Sequence, residues 1–456
     1  MKESFKIHFL GASGMVTGSK FLLELQGRTI LIDCGLFQGI KELRELNWAQ
    51  LPVRVSEIHL VLLTHGHLDH CGFLPRLVNM GFSGNIWGTA PTLDIAEVIL
   101  RDSAKIQEED AERANKEGFS KHKPAKPLYN IDDVDKTVTR FEAKKEGDWL
   151  KIDNQTQVRF QYSGHILGAT FIELDISGRR IVFSGDVGRN HDPLLRAPEK
   201  PDSADLLFLE STYGDRRHPA ENMYDKLKKI IDETIENNGT LIIPSFAVER
   251  AQLLMYMVWQ LHKEKKIPQS LPVILDTPMG KNVLDIFRKH HTWHTLSLDE
   301  CAEMCSRVHM VESFKETWEW IDNPSPKIVI AGSGMVTGGR VLSYLQQYIS
   351  RPETTVLLAG YQAEGTRGRS LLKGADEIKF FGKNYPVKAR IEILQGLSGH
   401  ADVDELLDWI SEIKKSPEIV YLIHGEAHAL DSFRLKIKDT YGWKVKIPHL
   451  FDIEEH

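Results

Sequence analysis

The chain has 456 residues, 41% of them apolar and 27% charged, with 57 Lys and Arg against 64 Asp and Glu for a formal charge of −7. At ~150 residues per domain this amounts to two or three domains of ordinary globular composition, which excludes the disordered and fibrous classes. The acidic total argues against a protein that coats nucleic acid through bulk positive charge, although a local basic face survives such averaging. Four cysteines, Cys34, Cys71, Cys301 and Cys305, are too few for a disulfide framework and point to a reducing cytoplasm. Residues 1–14 lack the apolar core of a signal peptide, and no window nears the ~18 apolar residues of a membrane helix. A soluble, cytoplasmic protein with no membrane partner is expected.

In chain order, strands are expected at 5–10, 21–25 and 29–33, the last two joined by Gln-Gly-Arg. The almost wholly apolar run 58–63 has the pattern of a strand covered on both faces. A long helix is expected over 92–116, ending at Gly118 before a basic, proline-containing link at 121–127. Strands follow at 158–162, 170–176 and 180–184. After Glu210 the rhythm changes to alternation: helix 221–237, strand 240–243, helix 247–263 and strand 272–275, then strand 327–330, helix 340–349 and strand 354–359. This is the pattern of a parallel, doubly wound sheet. Strands at 389–394 and 418–423 close the chain, each followed by a helix. In 402–414 a stripe of Val403, Leu406, Leu407, Ile410 and Ile413 lies behind a capping box formed by Asp402 and Glu405.

The hexapeptide Ser-Gly-Met-Val-Thr-Gly occurs at 13–18 and again at 333–338. The flanks do not match, so this is no tandem repeat. The second copy follows a strand and opens a helix, where free backbone N–H groups suit a phosphate.

The strongest chemical signal is His-Gly-His-Leu-Asp-His at 65–70, directly after the apolar strand. Three imidazoles and a carboxylate at a strand mouth match the nitrogen and oxygen donors that zinc prefers. In an extended or turning segment His65 and His67 point to one side and reach one ion, while Asp69 and His70 face a second. A chance His-rich turn is the plain alternative. His165, Asp186 and His424 each lie just past an expected strand end beside glycine, and singly each reads as an ordinary polar turn residue. As a set they place loops from one sheet edge where they can converge.

With these residues in view, the pattern His-x-His-x-Asp-His, followed by His, Asp and His, resembles the metallo-β-lactamase fold. Asp33, in Leu-Ile-Asp-Cys-Gly at 31–35, matches the Asp that supports the metal-binding loop in that family. Glu-Ser-Thr-Tyr-Gly-Asp at 210–215, Gly-Leu-Ser-Gly-His-Ala-Asp at 396–402 and Ile-His-Gly-Glu at 423–426 resemble three motifs of the β-CASP nucleases, with Glu210, His400 and His424 in the marked positions. The segments 244–252, 332–340 and 360–369 match the same family, so the resemblance covers essentially the whole chain.

The resemblance implies an α/β protein: a metallo-β-lactamase αββα sandwich at 1–211 and 392–456, with an inserted parallel-sheet β-CASP domain at 212–391. It implies two zinc ions per chain, the first held by His65, His67 and His165 and the second by Asp69, His70 and His424. Asp186 bridges them, and Asp33 supports without ligating. RNA-directed members carry His at the third motif, so His424 favours RNA over DNA.

The implied reaction is hydrolysis of phosphodiester bonds in single-stranded RNA by a two-metal bridging-hydroxide mechanism, in RNA processing or decay. Asp69 or Asp186 takes the water's proton, His400 is the general acid or else a charged contact to the phosphate, and Glu210 orients it. RNA is expected in a cleft between the domains, with Ser333, Thr337, Thr366, Arg367 and Arg369 as phosphate contacts. The wording is closest to the nuclease subunit of pre-mRNA 3′-end cleavage and its bacterial and archaeal relatives. The chain is expected to lack the N-terminal RNA-binding module of larger archaeal members and the long tail of RNase J.

Two other readings stay open: a catalytically silent RNA-binding subunit, and a small-molecule metallohydrolase, which an insertion with its own motifs disfavours. Homodimer formation and the choice between endo- and exonuclease action are also open. His290, His291 and His294 read as a surface helix end, Cys301 and Cys305 as one helical face, Cys71 as buried under a helix, and the acidic run 108–110 as a solvated helix face.

Overall fold

The computed structural model describes residues 4–118, 122–360, 362 and 365–456. Lys121 of the basic link, and Tyr361, Ala363 and Glu364 of the segment 360–369, lie outside the described residues. The chain divides into two compact units, one of residues 1–217 with 400–456 and the other of residues 218–399. The breaks expected from sequence stood at 211/212 and 391/392.

The first unit holds two seven-stranded sheets face to face. In spatial order the first is Ile453–Glu455, Lys6–Phe9, Phe21–Leu25, Arg28–Ile32, Leu60–Leu62, Asn85–Thr89 and Phe141–Lys144. The second runs Val445–Lys446, Ile419–Ile423, Leu206–Glu210, Arg179–Phe183, Thr170–Ile176, Thr156–Tyr162 and Leu150–Lys151. Alternation along the strands explains the layering. Phe21, Leu23 and Leu25 enter the core between the sheets, whereas Leu22 enters the core on the outer face. Phe183 and Phe208 stack at 4.1 Å between ring centres, and Phe208 stacks on Tyr421 at 5.0 Å.

Helices Leu74–Asn79, Ala90–Glu117 and Ile131–Val138 cover one outer face, and Val403–Trp409 and Ala427–Tyr441 cover the other. The result is the four-layered αββα sandwich.

The second unit is built on a six-stranded sheet in the order His309–Met310, Val273–Asp276, Lys327–Ala331, Thr240–Pro244, Thr355–Leu358 and Arg390–Ile393, with every neighbouring pair parallel. A parallel sheet needs crossover helices and apolar strands covered on both faces. Lys327–Ala331 and Thr240–Pro244 are accordingly buried throughout. The carboxyl ends of all six strands share one edge.

Two expected helices are shorter than their periodicity suggested. The helix expected from 247 begins at Arg250, because Glu249 adopts φ +64° and the Arg250 N–H turns back to the Val248 carbonyl at 2.8 Å. The helix expected over 402–414 stops at Trp409, although Ile410 and Ile413 remain buried in the turn that follows. Its start is as expected: Asp402 and Glu405 form the capping box. His294 lies buried against Phe287 with ring centres 3.9 Å apart, rather than on a surface helix end.

Candidate metal centre

Every residue of the centre belongs to the first unit and sits where a strand ends. Strand Leu60–Leu62 runs out through Leu63 and Thr64 into His65. Gly66 then passes so close to helix Ala90–Glu117 that a Cβ there would lie 2.7 Å from Ile95 Cγ2 and 3.1 Å from the Ala96 nitrogen. Only glycine lets the chain graze the helix before His67 caps the short helix Leu68–Cys71, which carries Asp69 and His70.

Asp33, at φ +57°, accepts from the Thr64 N–H at 2.8 Å and the Thr64 hydroxyl at 2.8 Å, and its Oδ2 is 2.7 Å from His70 Nδ1. That bond makes Nδ1 the protonated nitrogen of His70 and leaves Nε2 to face the centre. His165 follows strand Thr156–Tyr162, Asp186 follows Arg179–Phe183, and His424 follows Ile419–Ile423. Backbone also binds His424 to the opposite sheet's loop: its N–H donates to the Ala12 carbonyl at 2.7 Å, and its φ is +49°.

The side chains gather in two groups. In the first, His67 Nδ1 lies 3.1 Å from His65 Nε2 and 3.2 Å from His165 Nε2. In the second, His424 Nε2 lies 3.3 Å from His70 Nε2 and 3.3 Å from Asp69 Oδ2. Asp186 faces both groups with different oxygens. Its Oδ2 is 3.6 Å from His65 Nε2 and 3.4 Å from His165 Nε2, whereas its Oδ1 is 3.4 Å from His70 Nε2. His65, His70, His165, Asp186 and His424 are all buried.

Such a cluster is poorly satisfied by its own hydrogen bonds. A neutral imidazole has one N–H and one lone pair, so three ring nitrogens meeting at one point leave lone pairs opposed. The buried Asp186 Oδ1 has no partner at hydrogen-bond geometry. Cations at the two groups would resolve both deficits, and the donors are the imidazole nitrogens and carboxylate oxygens that zinc takes. Burial first, and neighbouring imidazoles after it, hold His65 well below the ordinary histidine value; burial brings His67 down to about 4. Both therefore keep their lone pairs at neutral pH. For Asp69 and Asp186 burial opposes the charge, but the histidines beside them, His424 and His70 among them, outweigh it and hold both carboxyls ionised.

Glu210 ends strand Leu206–Glu210 and is fully buried. Its carboxylate accepts from the Val187 N–H at 2.8 Å and the Thr212 N–H at 3.1 Å, and lies 3.2 Å from His400 Nδ1. Burial works against a charge on His400, but Glu210 overcomes it and raises the imidazole to about 9. His400 Nδ1 is also 3.9 Å from Asp186 Oδ2.

All nine of these expected residues, with Asp33 behind them, are thus brought to one place. Ser333, Thr337, Thr366, Arg367 and Arg369 lie in the second unit. Ser333 Oγ accepts from the Thr337 N–H at 3.1 Å and the Gly338 N–H at 3.2 Å. Thr366 caps helix Arg367–Leu372 by accepting from the Arg369 N–H at 3.2 Å. Arg367 donates to the carbonyls of Lys379 at 2.7 Å and Thr337 at 3.1 Å.

Sequence reasoning missed two supporting threonines. Thr64 Oγ1 ties Asp33 to His65, at 3.1 Å from Nδ1, and Thr212 Oγ1 stands 3.1 Å from His424 Nδ1. Their signal was adjacency: Thr64 precedes His65, and Thr212 lies two residues past Glu210.

An αββα sandwich with paired His and Asp donors at its strand ends defines a metal-dependent hydrolase. Domain profiles match in chain order: a Beta-lactamase superfamily domain over residues 28–236, a Beta-Casp domain over 251–371 and a Zn-dependent metallo-hydrolase RNA specificity domain over 384–448. The chain belongs to the β-CASP family of metallo-β-lactamase-fold hydrolases.

It is 33% identical over 427 residues to Ribonuclease TTHA0252 of Thermus thermophilus, covering 92% of this chain and 93% of that one. It is 29% identical over 448 residues to an RNase J-like protein of Methanocaldococcus jannaschii, covering 97% and 96%. A crystal structure of a protein of unknown function from Enterococcus faecalis shares the fold at a TM-score of 0.57 and 12% identity, over 99% of this chain and 100% of that one.

Proposed function

We propose that this protein is a zinc-dependent ribonuclease that hydrolyses phosphodiester bonds of single-stranded RNA, in RNA processing or decay, and holds two zinc ions per chain. The observation that carries the reading is the division of the Asp186 carboxylate, one oxygen toward each donor group, with His400 standing beside it. The substrate class is supported by the ribonuclease relative from Thermus thermophilus and by the RNA specificity domain over 384–448.

His65, His67 and His165 would hold one ion and Asp69, His70 and His424 the other, with Asp186 shared between them. When bound, two zinc ions supply Lewis acidity for the phosphoryl oxygens and make hydroxide available near neutral pH. The chain's own residues do the rest. Asp69, ionised and with its side chain 21% exposed, is placed to take a proton from the attacking water. His400 delivers a proton to the departing oxygen. Because Glu210 engages Nδ1, the nitrogen left for this transfer is Nε2. Glu210 is itself immobilised by two backbone N–H groups, so it fixes the tautomer and plane of the imidazole.

The test is H400A together with metal analysis of the wild-type protein. Two zinc ions per chain are expected, with the same content in H400A and cleavage of single-stranded RNA reduced ~10²–10⁴-fold. Unchanged turnover in H400A would remove His400 from the reaction, and near-zero zinc in the wild type would remove the two-ion assignment.

A further inference from the structure

The loop that follows strand Thr240–Pro244 presents one large apolar side chain to solvent. Phe246 is 47% exposed, while its neighbours Ser245, Ala247 and Val248 are 2%, 6% and 6% exposed. A single exposed apolar residue is ordinary on a protein surface, but three features set this one apart.

The loop is locked. The Ser245 N–H donates to the Ala331 carbonyl at 2.9 Å, and the buried Gln252 amide donates to the Ala247 carbonyl at 3.0 Å. The ring therefore stands out from a fixed backbone, and the entropy of ordering it is already spent.

The ring also has a seat. A Cβ on Gly334 would lie 2.8 Å from Phe246 Cδ2 and Cε2, so only glycine leaves room for the aromatic edge against the neighbouring turn. That turn carries Ser333 and Thr337, the latter exposed, with their hydroxyl oxygens 3.1 Å apart. Both segments lie at the carboxyl edge of the parallel sheet, where α/β sheets bind their ligands.

Three arginines on this edge are bound to groups of the protein itself. Arg250 donates to the Ala359 carbonyl. Arg340 donates to Asp276 Oδ1 and to the Ser313 carbonyl, both at 3.0 Å. Arg367 is spent on the carbonyls of Lys379 and Thr337. With these three engaged, contacts other than charge gain weight for a polyanion at this edge.

We propose that Phe246 is a stacking platform for one nucleobase of the RNA, with the turn bearing Ser333 and Thr337 receiving the neighbouring phosphate. Stacking needs only a π-face, which every base has, so it holds a strand without demanding a sequence. The proposal rests on the ribonuclease reading above.

The experiment uses the full zinc-loaded chain and a single-stranded RNA in which each nucleotide in turn lacks its base. F246A is expected to raise KM about 5- to 100-fold with zinc content unchanged, and F246W to restore it. In the wild type one abasic position should weaken binding by a similar factor, and F246A should be insensitive to that same position. Three results would overturn the platform: F246A binding within twofold of wild type, an abasic penalty that persists undiminished in F246A, or a change in oligomeric state with RNA affinity intact, which would make Phe246 a contact between copies of the chain. A wild-type protein that neither binds nor cleaves RNA would instead remove the ribonuclease reading, and the wild-type arm reports that separately.

Discussion

At the strand ends of the first unit, five histidines and two aspartates turn inward onto one another until their nitrogens and oxygens are 3.1–3.6 Å apart and mostly buried. At the carboxyl edge of the sheet in the second unit the polarity is reversed. There Arg250, Arg340 and Arg367 turn into the protein, and Phe246 and Thr337 face out. A centre built for a small cation needs its donors preorganised and shielded, because an ion in water already has good ligands. A surface built for a polymer needs reach and a face left open.

The twin hexapeptides make the same contrast within identical wording. At 13–18 the residues are folded away: Ser13 donates to the Gly11 carbonyl at 3.2 Å, and Thr17 donates to the Leu36 carbonyl at 3.0 Å, with both side chains buried. The left-handed positions are Gly14 and Gly18. At 333–338 the left-handed position is Val336, Ser333 accepts from its own turn, and Thr337 is exposed. Six residues with one spelling take two backbones, because the partners that stabilise each turn come from elsewhere in the fold.

The contrast can be broken most forcefully at Asp186. D186A removes the carboxylate that faces both groups, and is expected to lower zinc content and to cut RNA cleavage by more than ~100-fold, beyond the loss caused by removing a supporting residue. Metal analysis with a cleavage assay checks it; full zinc occupancy in D186A would refute the shared role.

D33N should act one step back. His70 loses the partner of its Nδ1–H, and zinc affinity falls ~10–100-fold while the fold persists, as a chelator titration would report.

E210Q tests the proton path. Removing the negative charge beside His400 lowers the imidazole's proton affinity, and a general acid works only while protonated. The high-pH limb of the kcat profile should therefore move to lower pH, by about one unit or more. A limb that stays in place would show that His400 is not the titrating acid.

The smallest effect belongs to the open edge. T337A should raise KM for RNA only about two- to tenfold, the worth of one hydrogen bond, and leave zinc content alone. A loss as large as that of D186A would show the two edges to be less different than their geometry.

Much of the centre was legible in the chain. The spacing at 65–70 is local, and two residues of extended backbone or one helical turn suffice to aim four donors from six positions. The capping box at Asp402 was equally local. His165, Asp186 and His424 were legible as strand-end residues beside glycine, and as a set through the family they resemble. Supporting threonines were not, since adjacency to His65 and Glu210 was the one signal of Thr64 and Thr212, and ordinary turn residues share it.

What sequence by itself determined here is the αββα and β-CASP class, the residues that gather at the strand ends of the first unit, and the order in which strand and helix alternate. Tertiary structure decided which oxygen of Asp186 meets which group, that Arg250 and Arg367 bond backbone carbonyls and Arg340 both a carbonyl and Asp276, and that Phe246 stands out beside Gly334. The physical reason is range. Donor chemistry and periodicity are properties of neighbouring residues, whereas the direction of a long side chain is set by acceptors distant in sequence, 109 positions away for Arg250 and the Ala359 carbonyl.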